Sequence, residues 1–413
     1  MDTPLLSKYI THKAVLKRLI DMRCAKALAR QKKTVVLSLS TKRINKEENS
    51  DILYDIFPPR RQWVHSGKSS RIGKTQIAKN ERNLKITYRK ESSCNNHANW
   101  YKKLENYVDS IIKKALNGSF VFGKPKVCFI IKEINNDRKE VVLRPICKFE
   151  TLEERIIGSL YNKILTHLFD CYFYENSFAF RAPREGQPIS HLNAVNKIIQ
   201  FRKEHCDKNI WVAECDMKKF FDTIDHEVII QLFVKLLWRC RCDSRITKDE
   251  FCLLLNIMIS YVDCFSFKRD VLDGMALSCV AKQLCAGGIC PNDYNKQIQW
   301  VEEEIEKLRQ KDWPYPTQNY EVDNLGVPQG GALSGLIANI VMNEVDVRLN
   351  KYYVNNSDFL YVRFCDDMIM MGIDKETVSQ AFECYKQGIK ELHLFIHDDV
   401  DITLMSKKEM STF

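Results

Sequence analysis

Residues 361–372 read Tyr-Val-Arg-Phe-Cys-Asp-Asp-Met-Ile-Met-Met-Gly, with apolar runs on both sides of two adjacent aspartates. No other stretch restricts the fold as much. Flanking runs of this length and make-up are strand-like, and the aspartates between them suit a turn. Two like charges side by side cost nothing in an unfolded chain. Against a folded core they are expensive unless something positive sits against both. A solvated hairpin turn satisfies the pattern, and so does a metal site. This stretch alone does not choose between them.

A second stretch bears on the question. "NIWVAECDM" (209–217) reads as a strand that is apolar on both faces and stops at Asp216. If it neighbours the hairpin in one sheet, Asp216, Asp366 and Asp367 converge at one edge. Each alone reads more simply as a cap or a turn. Together they offer hard oxygen ligands on a rigid base, which suits two divalent cations roughly 3.5–4 Å apart.

Composition sets the outer bounds. With 413 residues the chain is too long for one simple core, and two or three lobes are expected. A hydrophobic fraction of 45% and a charged fraction of 28% are those of a soluble globular protein. No apolar run reaches the roughly 18 residues of a membrane span, and the N-terminus lacks a signal-peptide core. The expectation is a cytoplasmic protein with no membrane partner. The 16 cysteines are scattered, several in apolar runs (Cys128, Cys147, Cys215), so reduced thiols are expected. The densest group (Cys240, Cys242, Cys252, Cys264, Cys279, Cys285, Cys290) has no CxxC spacing, which speaks against zinc. The net charge is +10, and much of the excess lies near the N-terminus, at Lys32-Lys33, Lys42-Arg43, Arg60-Arg61, Lys68, Arg71 and Lys74. Trp63 and His65, interleaved there, favour a nucleic-acid face over a merely solvated one. "GKSSRIGKT" (67–75) fails as a phosphate loop, because five residues rather than four separate Gly67 from Gly73.

Along the chain, helices are expected over 1–30, 99–116, 151–173, 190–204 and 375–392. Thr151 and Glu154 form a capping box. Strands are expected over 34–40, 126–133 and 139–146 as well as in the stretches above. Residues 41–98 read as loop-rich. "GVPQGGALSG" (326–335) is a glycine-rich turn that opens an amphipathic helix.

Three of these stretches resemble a known family. "DMKKFFDTIDH" (216–226), "GVPQGGALSGLIANIVMNEVD" (326–346) and "RFCDD" (363–367) are similar, in order, to the central motifs of bacterial reverse transcriptases. These include group II intron, retron and phage-defence enzymes. "FIIKEINNDRKEVVLRPI" (129–146), "ERI" (154–156) and "SFAFRAPRE" (177–185) resemble the fingers motifs of that family.

The resemblance implies an α+β right-hand polymerase fold, with a palm sheet backed by helices. It implies a basic N-terminal extension over 1–100, fingers over 101–207 and a palm over 208–413, with a Cys-rich insertion at about 240–320. Asp216 and Asp366 would be ligands of two Mg2+ ions (or of Mn2+ in their place), with Asp367 assisting and the Met217 carbonyl completing one site. Phe221 would be the gate against a ribose 2′-hydroxyl. Gln329 would rest against the template or nascent pair, and Gly330 would let the backbone approach it. Lys132 and Arg144 would grip the incoming triphosphate, and Arg181 is a weaker candidate for the same role.

The implied partners are a template RNA, namely a dedicated non-coding RNA in phage defence, the dNTPs and the DNA product. A homo-oligomer or partner protein is a further expectation. A group II intron enzyme is the alternative, and an inactive RNA-binding scaffold the second. Phe221 speaks against ribonucleotide polymerisation. The motifs depart from the pattern at Phe364, which replaces Tyr, and at Gly335, which replaces Pro and is expected to loosen the start of its helix. Asp216 and Pro328 stand 112 positions apart, which is the reason to expect an insertion. The chain stops where a primer grip and thumb would follow, so truncation, or a clamp from another chain, is expected.

Overall fold

The computed structural model describes residues 4–36, 52–65, 75–135, 140–184, 186–272, 324–397 and 402–405. The chain divides into two compact units, Met1–Phe120 and Val121–Phe413.

The first unit is built on three helices, α1 (His12–Val36), α2 (Gln76–Ser92) and α3 (Asn99–Leu116), each packed on the other two. Helix α3 turns Leu104, Val108, Ile111 and Ala115 inward, a stripe with helical spacing. That buried face places α3 with the first unit, although the resemblance assigns it to the start of the fingers. Helix α2 lies inside the stretch expected to be loop-rich. Its buried positions are Asn80, Leu84 and Thr87, so the apolar period that would reveal a helix is missing. Residues 34–36, expected in a strand, instead complete α1, and 37–40 lie outside the described residues. Residues 67–74 of the stretch that fails as a phosphate loop also lie outside them, while Thr75 caps α2 by accepting from the Ala78 N–H. Trp63 is 2% exposed and its indole N–H donates to the Pro58 carbonyl at 2.9 Å. Trp63 is therefore a core residue and not part of a nucleic-acid face. The Arg23 guanidinium lies 4.6 Å from the Tyr54 ring and 5.1 Å from that of Trp63.

The second unit begins with an antiparallel hairpin, β1 (Lys126–Asn135) and β2 (Glu140–Lys148). Helix α4 (Leu152–Phe169) follows, opened by the expected Thr151–Glu154 capping box. It ends at Phe169, four residues short of the expected end. A 3-10 turn (Asp170–Tyr172) follows, and the Asp170 carboxylate is held there by Arg181 and the Ala182 N–H. Helix α5 (His191–Glu204) leads into β3 (Ile210–Cys215), then α6 (His226–Cys242) and α7 (Lys248–Asp263), which pack together. The first part of the expected Cys-rich insertion is thus ordinary helix, with Cys240 and Cys264 buried and Cys242 and Cys252 exposed. Residues 273–323, with Cys279, Cys285 and Cys290, lie outside the described residues.

Helix α8 (Ser334–Arg348), strands β4 (Phe359–Phe364) and β5 (Asp367–Gly372), helix α9 (Lys375–Glu391) and strand β6 (Thr403–Met405) complete the unit. Four strands form an antiparallel sheet in the order β4-β5-β3-β6. Strand periodicity sorts its side chains. Ile210, Val212 and Met371 face α5 through Phe201. Tyr361 and Arg363 point the other way, to Asp346 of α8. The α+β architecture, an antiparallel sheet backed by helices, is the expected one. Among the described residues no helix is long and apolar enough to cross a membrane.

Candidate active site

The register of the sheet brings the three aspartates together. Cys215 pairs with Met368 and Phe364 with Asp367, so the first residue past β3, Asp216, falls beside Asp367. Cys365 and Asp366 form the tip between β4 and β5, and Cys365 takes a positive φ of 63° to close it. Asp216 and Asp367 are exposed and Asp366 is half-buried. The Asp216 and Asp367 side chains lie close enough to influence one another's charge. Burial, then the charges of Asp216 and Asp366, push Asp367 up to about 6. Burial also raises Asp366, with Asp216 adding to the rise and Arg144 opposing it. The Met217 N–H donates to Asp216 Oδ1 at 2.8 Å. The Asp216 carbonyl accepts from the His397 N–H and the Phe395 carbonyl from the Lys218 N–H, at 3.3 and 2.9 Å. Strand alternation then turns the Met217 carbonyl to the opposite side, that of the hairpin.

A buried ion pair anchors the hairpin from below. Arg363 and Asp346 are both fully buried and joined at 2.7 Å. The same guanidinium donates to the Cys365 carbonyl at 2.8 Å, so it holds the turn itself. The Tyr361 hydroxyl donates to Asp346 at 2.7 Å. On its free edge, β4 exchanges backbone bonds with the segment at Asn176–Phe178. Hydrogen-bonding of this completeness is what makes a buried charge tolerable.

The glycine-rich turn is tied to two other elements. The Gly326 and Val327 N–H groups donate to the Ile224 and Phe221 carbonyls, both at 2.8 Å. The Cys147 N–H of β2 donates to the Gln329 carbonyl at 2.7 Å. Gly326 has φ +87°, and a Cβ there would come within 2.8 Å of the Asp222 carbonyl. Gly331 has no space for a Cβ either, which would stand 1.9 Å from the Tyr261 hydroxyl. The Ser334 hydroxyl donates to the Pro328 carbonyl at 2.7 Å, and α8 begins at Ser334 despite the missing proline. The Phe180 ring fills the space over Gly335, 2.5 Å from where a Cβ would sit.

Phe220 and Phe221 lie on a one-turn helix (Phe220–Thr223), with rings 5.3 Å apart. Phe220 is buried and Phe221 half-buried, so the core position belongs to Phe220. Asp222 is buried beside them and accepts from Gln329 Nε2 at 2.6 Å. Burial pushes Asp222 up to about 7, opposed by that hydrogen bond and by Lys219 and Arg144.

Arg144 is exposed on β2, close enough for its charge to lower both Asp222 and Asp366. Lys132 falls at the register shift between Ile131 and Glu133, and its side chain lies outside the described residues. Gly330, φ +89°, is exposed beside Gln329. Arg181 is not available for phosphate. Its side chain is 2% exposed, paired with Asp170 at 2.7 Å and bonded to the Tyr174 and Ser177 carbonyls. Three residues missed in the sequence emerge here: Asp222, Asp346 and Arg363. The only signal was a charge set among apolar neighbours in each motif.

Among the described residues no group of three or more His, Cys, Asp or Glu side chains is drawn together as a ready metal cage. The donor set nevertheless fits magnesium. That ion uses one or two carboxylates plus substrate phosphates and keeps several waters. The crowding of Asp216, Asp366 and Asp367 is what a divalent cation would relieve. A stability consequence follows. Asp367 has a raised pKa, so its contribution is present at low pH and lost as pH rises through about 6. Metal-free protein is therefore expected to melt lower at pH 8 than at pH 5 through this group. Magnesium should raise the melting temperature more at pH 8, where Asp367 is ionised, than at pH 5. An equal magnesium shift at both values, by scanning calorimetry, would contradict the assignment.

Comparison with curated proteins gives no match. Among solved structures, telomerase from Candida tropicalis in complex with a TWJ fragment of telomeric RNA is 14% identical. It matches over 80% of this chain and 51% of its own, with a TM-score of 0.39. Apo telomerase from the same organism, truncated from its C-terminal domain, is 14% identical over 80% and 64%, TM-score 0.36. Telomerase from Candida albicans with a TWJ fragment is 15% identical over 80% and 52%, TM-score 0.37. The chain spans about half to two thirds of the length of these structures. Residues 296–399 match the family model described as reverse transcriptase (RNA-dependent DNA polymerase). The glycine-rich turn, helix α8 and the Asp366–Asp367 hairpin all lie within the stretch that this model matches.

Proposed function

We propose that the chain is an RNA-directed DNA polymerase that copies a bound non-coding RNA into DNA in the cytoplasm, in defence against phage. The observation that carries the polymerase reading is the convergence of Asp216, Asp366 and Asp367 at one sheet edge. The defence role is favoured by the basic N-terminal run and the long spacing between Asp216 and Pro328.

In this reading Asp216 and Asp366, with the Met217 carbonyl, hold two magnesium ions and Asp367 supports them. Bound there, the ions would lower the pKa of the attacking 3′-hydroxyl and neutralise the leaving pyrophosphate. The protein's own residues orient the reactants. Arg144 meets the triphosphate, as a guanidinium suits phosphate oxygens. Lys132 is proposed for the same role. Gln329 and Gly330 contact the nascent pair. A cavity of about 300 Å3 opens beside Gly330, between Lys148 and Arg155, with Phe149 in its wall. Two cations against one carboxylate, Glu154, together with aromatic walls suit a nucleotide.

Phe221, left half-buried by Phe220, stands as the sugar gate. Phe221→Ala is expected to weaken discrimination against rNTPs by roughly 10- to 100-fold, the scale of a few methylenes in a pocket. Primer extension with single rNTPs reads this, and unchanged selectivity would place the gate elsewhere.

The function itself is tested on full-length protein purified with co-expressed RNA. Magnesium and each labelled dNTP or rNTP are supplied, and bound RNA and product are sequenced. The expected result is DNA complementary to one defined RNA. Specific RNA without any product would instead favour a scaffold.

A further inference from the structure

Gln329 is held at both ends. Its carbonyl accepts from Cys147 of β2, and its side-chain nitrogen donates to Asp222, which is 6% exposed. An ionised carboxylate only accepts hydrogen bonds, so it dictates which half of the amide faces it. The nitrogen is turned inward and Oε1 becomes the outward half. Asp222 also adjoins Phe221, whose carbonyl receives the Val327 N–H of the Gln329 loop at 2.8 Å.

An outward acceptor needs a donor. In the minor groove the bases offer one only at guanine, which would make copying depend on sequence. Sugar hydroxyls are donors that recur at each nucleotide, the 2′-OH on an RNA template and the 3′-OH on an incoming nucleotide.

Resting on the polymerase reading above, we propose that Asp222 is a positioning residue that orients Gln329 so that its Oε1 accepts a hydrogen bond from a sugar hydroxyl of the nascent pair. Substrate then meets a fixed acceptor and no amide rotation has to be arrested on binding. Below neutrality a protonated Asp222 would offer its own O–H to Oε1, and the amide would turn over. The charged and titratable groups facing Asp222 are Lys219 on its own turn, Arg144 on β2 and the Cys147 thiol.

Single-nucleotide incorporation by the full chain tests this. One arm uses an RNA template with one 2′-deoxynucleotide at the copied position, and the other uses a dideoxynucleotide as substrate. In wild type, one arm is expected to lose about tenfold in kcat/KM, the scale of one hydrogen bond to a well-placed group. Asp222→Leu should shrink that loss to near unity by raising KM on the normal pair. Asp222→Asn, whose oxygen can still accept from Gln329, should keep the loss, and keep it below pH 7 where wild type gives it up. The arm that responds names the hydroxyl. An active wild type whose losses are unchanged in Asp222→Leu overturns the inference alone. A wild type that makes no DNA overturns the polymerase reading and this inference with it.

Discussion

Asp366→Ala is expected to lower DNA synthesis by more than the roughly 10- to 100-fold that removing a ligand's supporting residue costs. The carboxylate sits at the turn between β4 and β5, beside Asp216 and Asp367. Folding is not expected to suffer. Burial already disfavours the charged form of Asp366, so its removal relieves repulsion. Template affinity should also hold, because the lost charge is negative and would only repel a bound phosphate backbone. Primer extension with magnesium, beside a melting curve and an RNA-binding isotherm, separates the three effects. Full activity in the variant would remove Asp366 from the chemistry.

Arg363→Met is expected to cost about 3–5 kcal/mol of stability, the scale of breaking a buried ion pair on one side. Of the side chains that hold Asp346, only the Tyr361 hydroxyl would still donate to its carboxylate, with no solvent to help it. The Cys365 carbonyl would lose its donor as well, so the hairpin tip should loosen and activity fall with stability. Replacing Asp346 with Leu in the same protein should recover most of the loss, since an apolar pair leaves no stranded charge. Urea unfolding of the single and double variants reads this. Equal stability of wild type and Arg363→Met would mean that the pair contributes nothing net.

The elements that were legible in the sequence are those whose local chemistry agrees with their environment. The β4–β5 hairpin and β3 show strand periodicity, and Thr151 and Glu154 mark the start of α4 with a capping box. Helix α2 was not legible, because its inward positions include Asn80 and Thr87. Trp63 reads as part of a nucleic-acid face from its basic neighbours, and Arg181 as a phosphate grip from the resemblance, yet both side chains are buried. Their partners, Pro58 and Asp170, are satisfied by chain reversals that no periodicity reveals.

The sequence by itself determined that three carboxylates end two apolar elements, and that a glycine-rich turn opens a buried helix. Strand alternation and turn chemistry act over a few residues, so they are written locally. Tertiary structure decided what holds those groups. Asp222 meets Gln329 across 107 positions, and Asp346 meets Arg363 from another element. Such pairs exist only once the sheet has closed, because burial alone makes a single hydrogen-bond partner decisive.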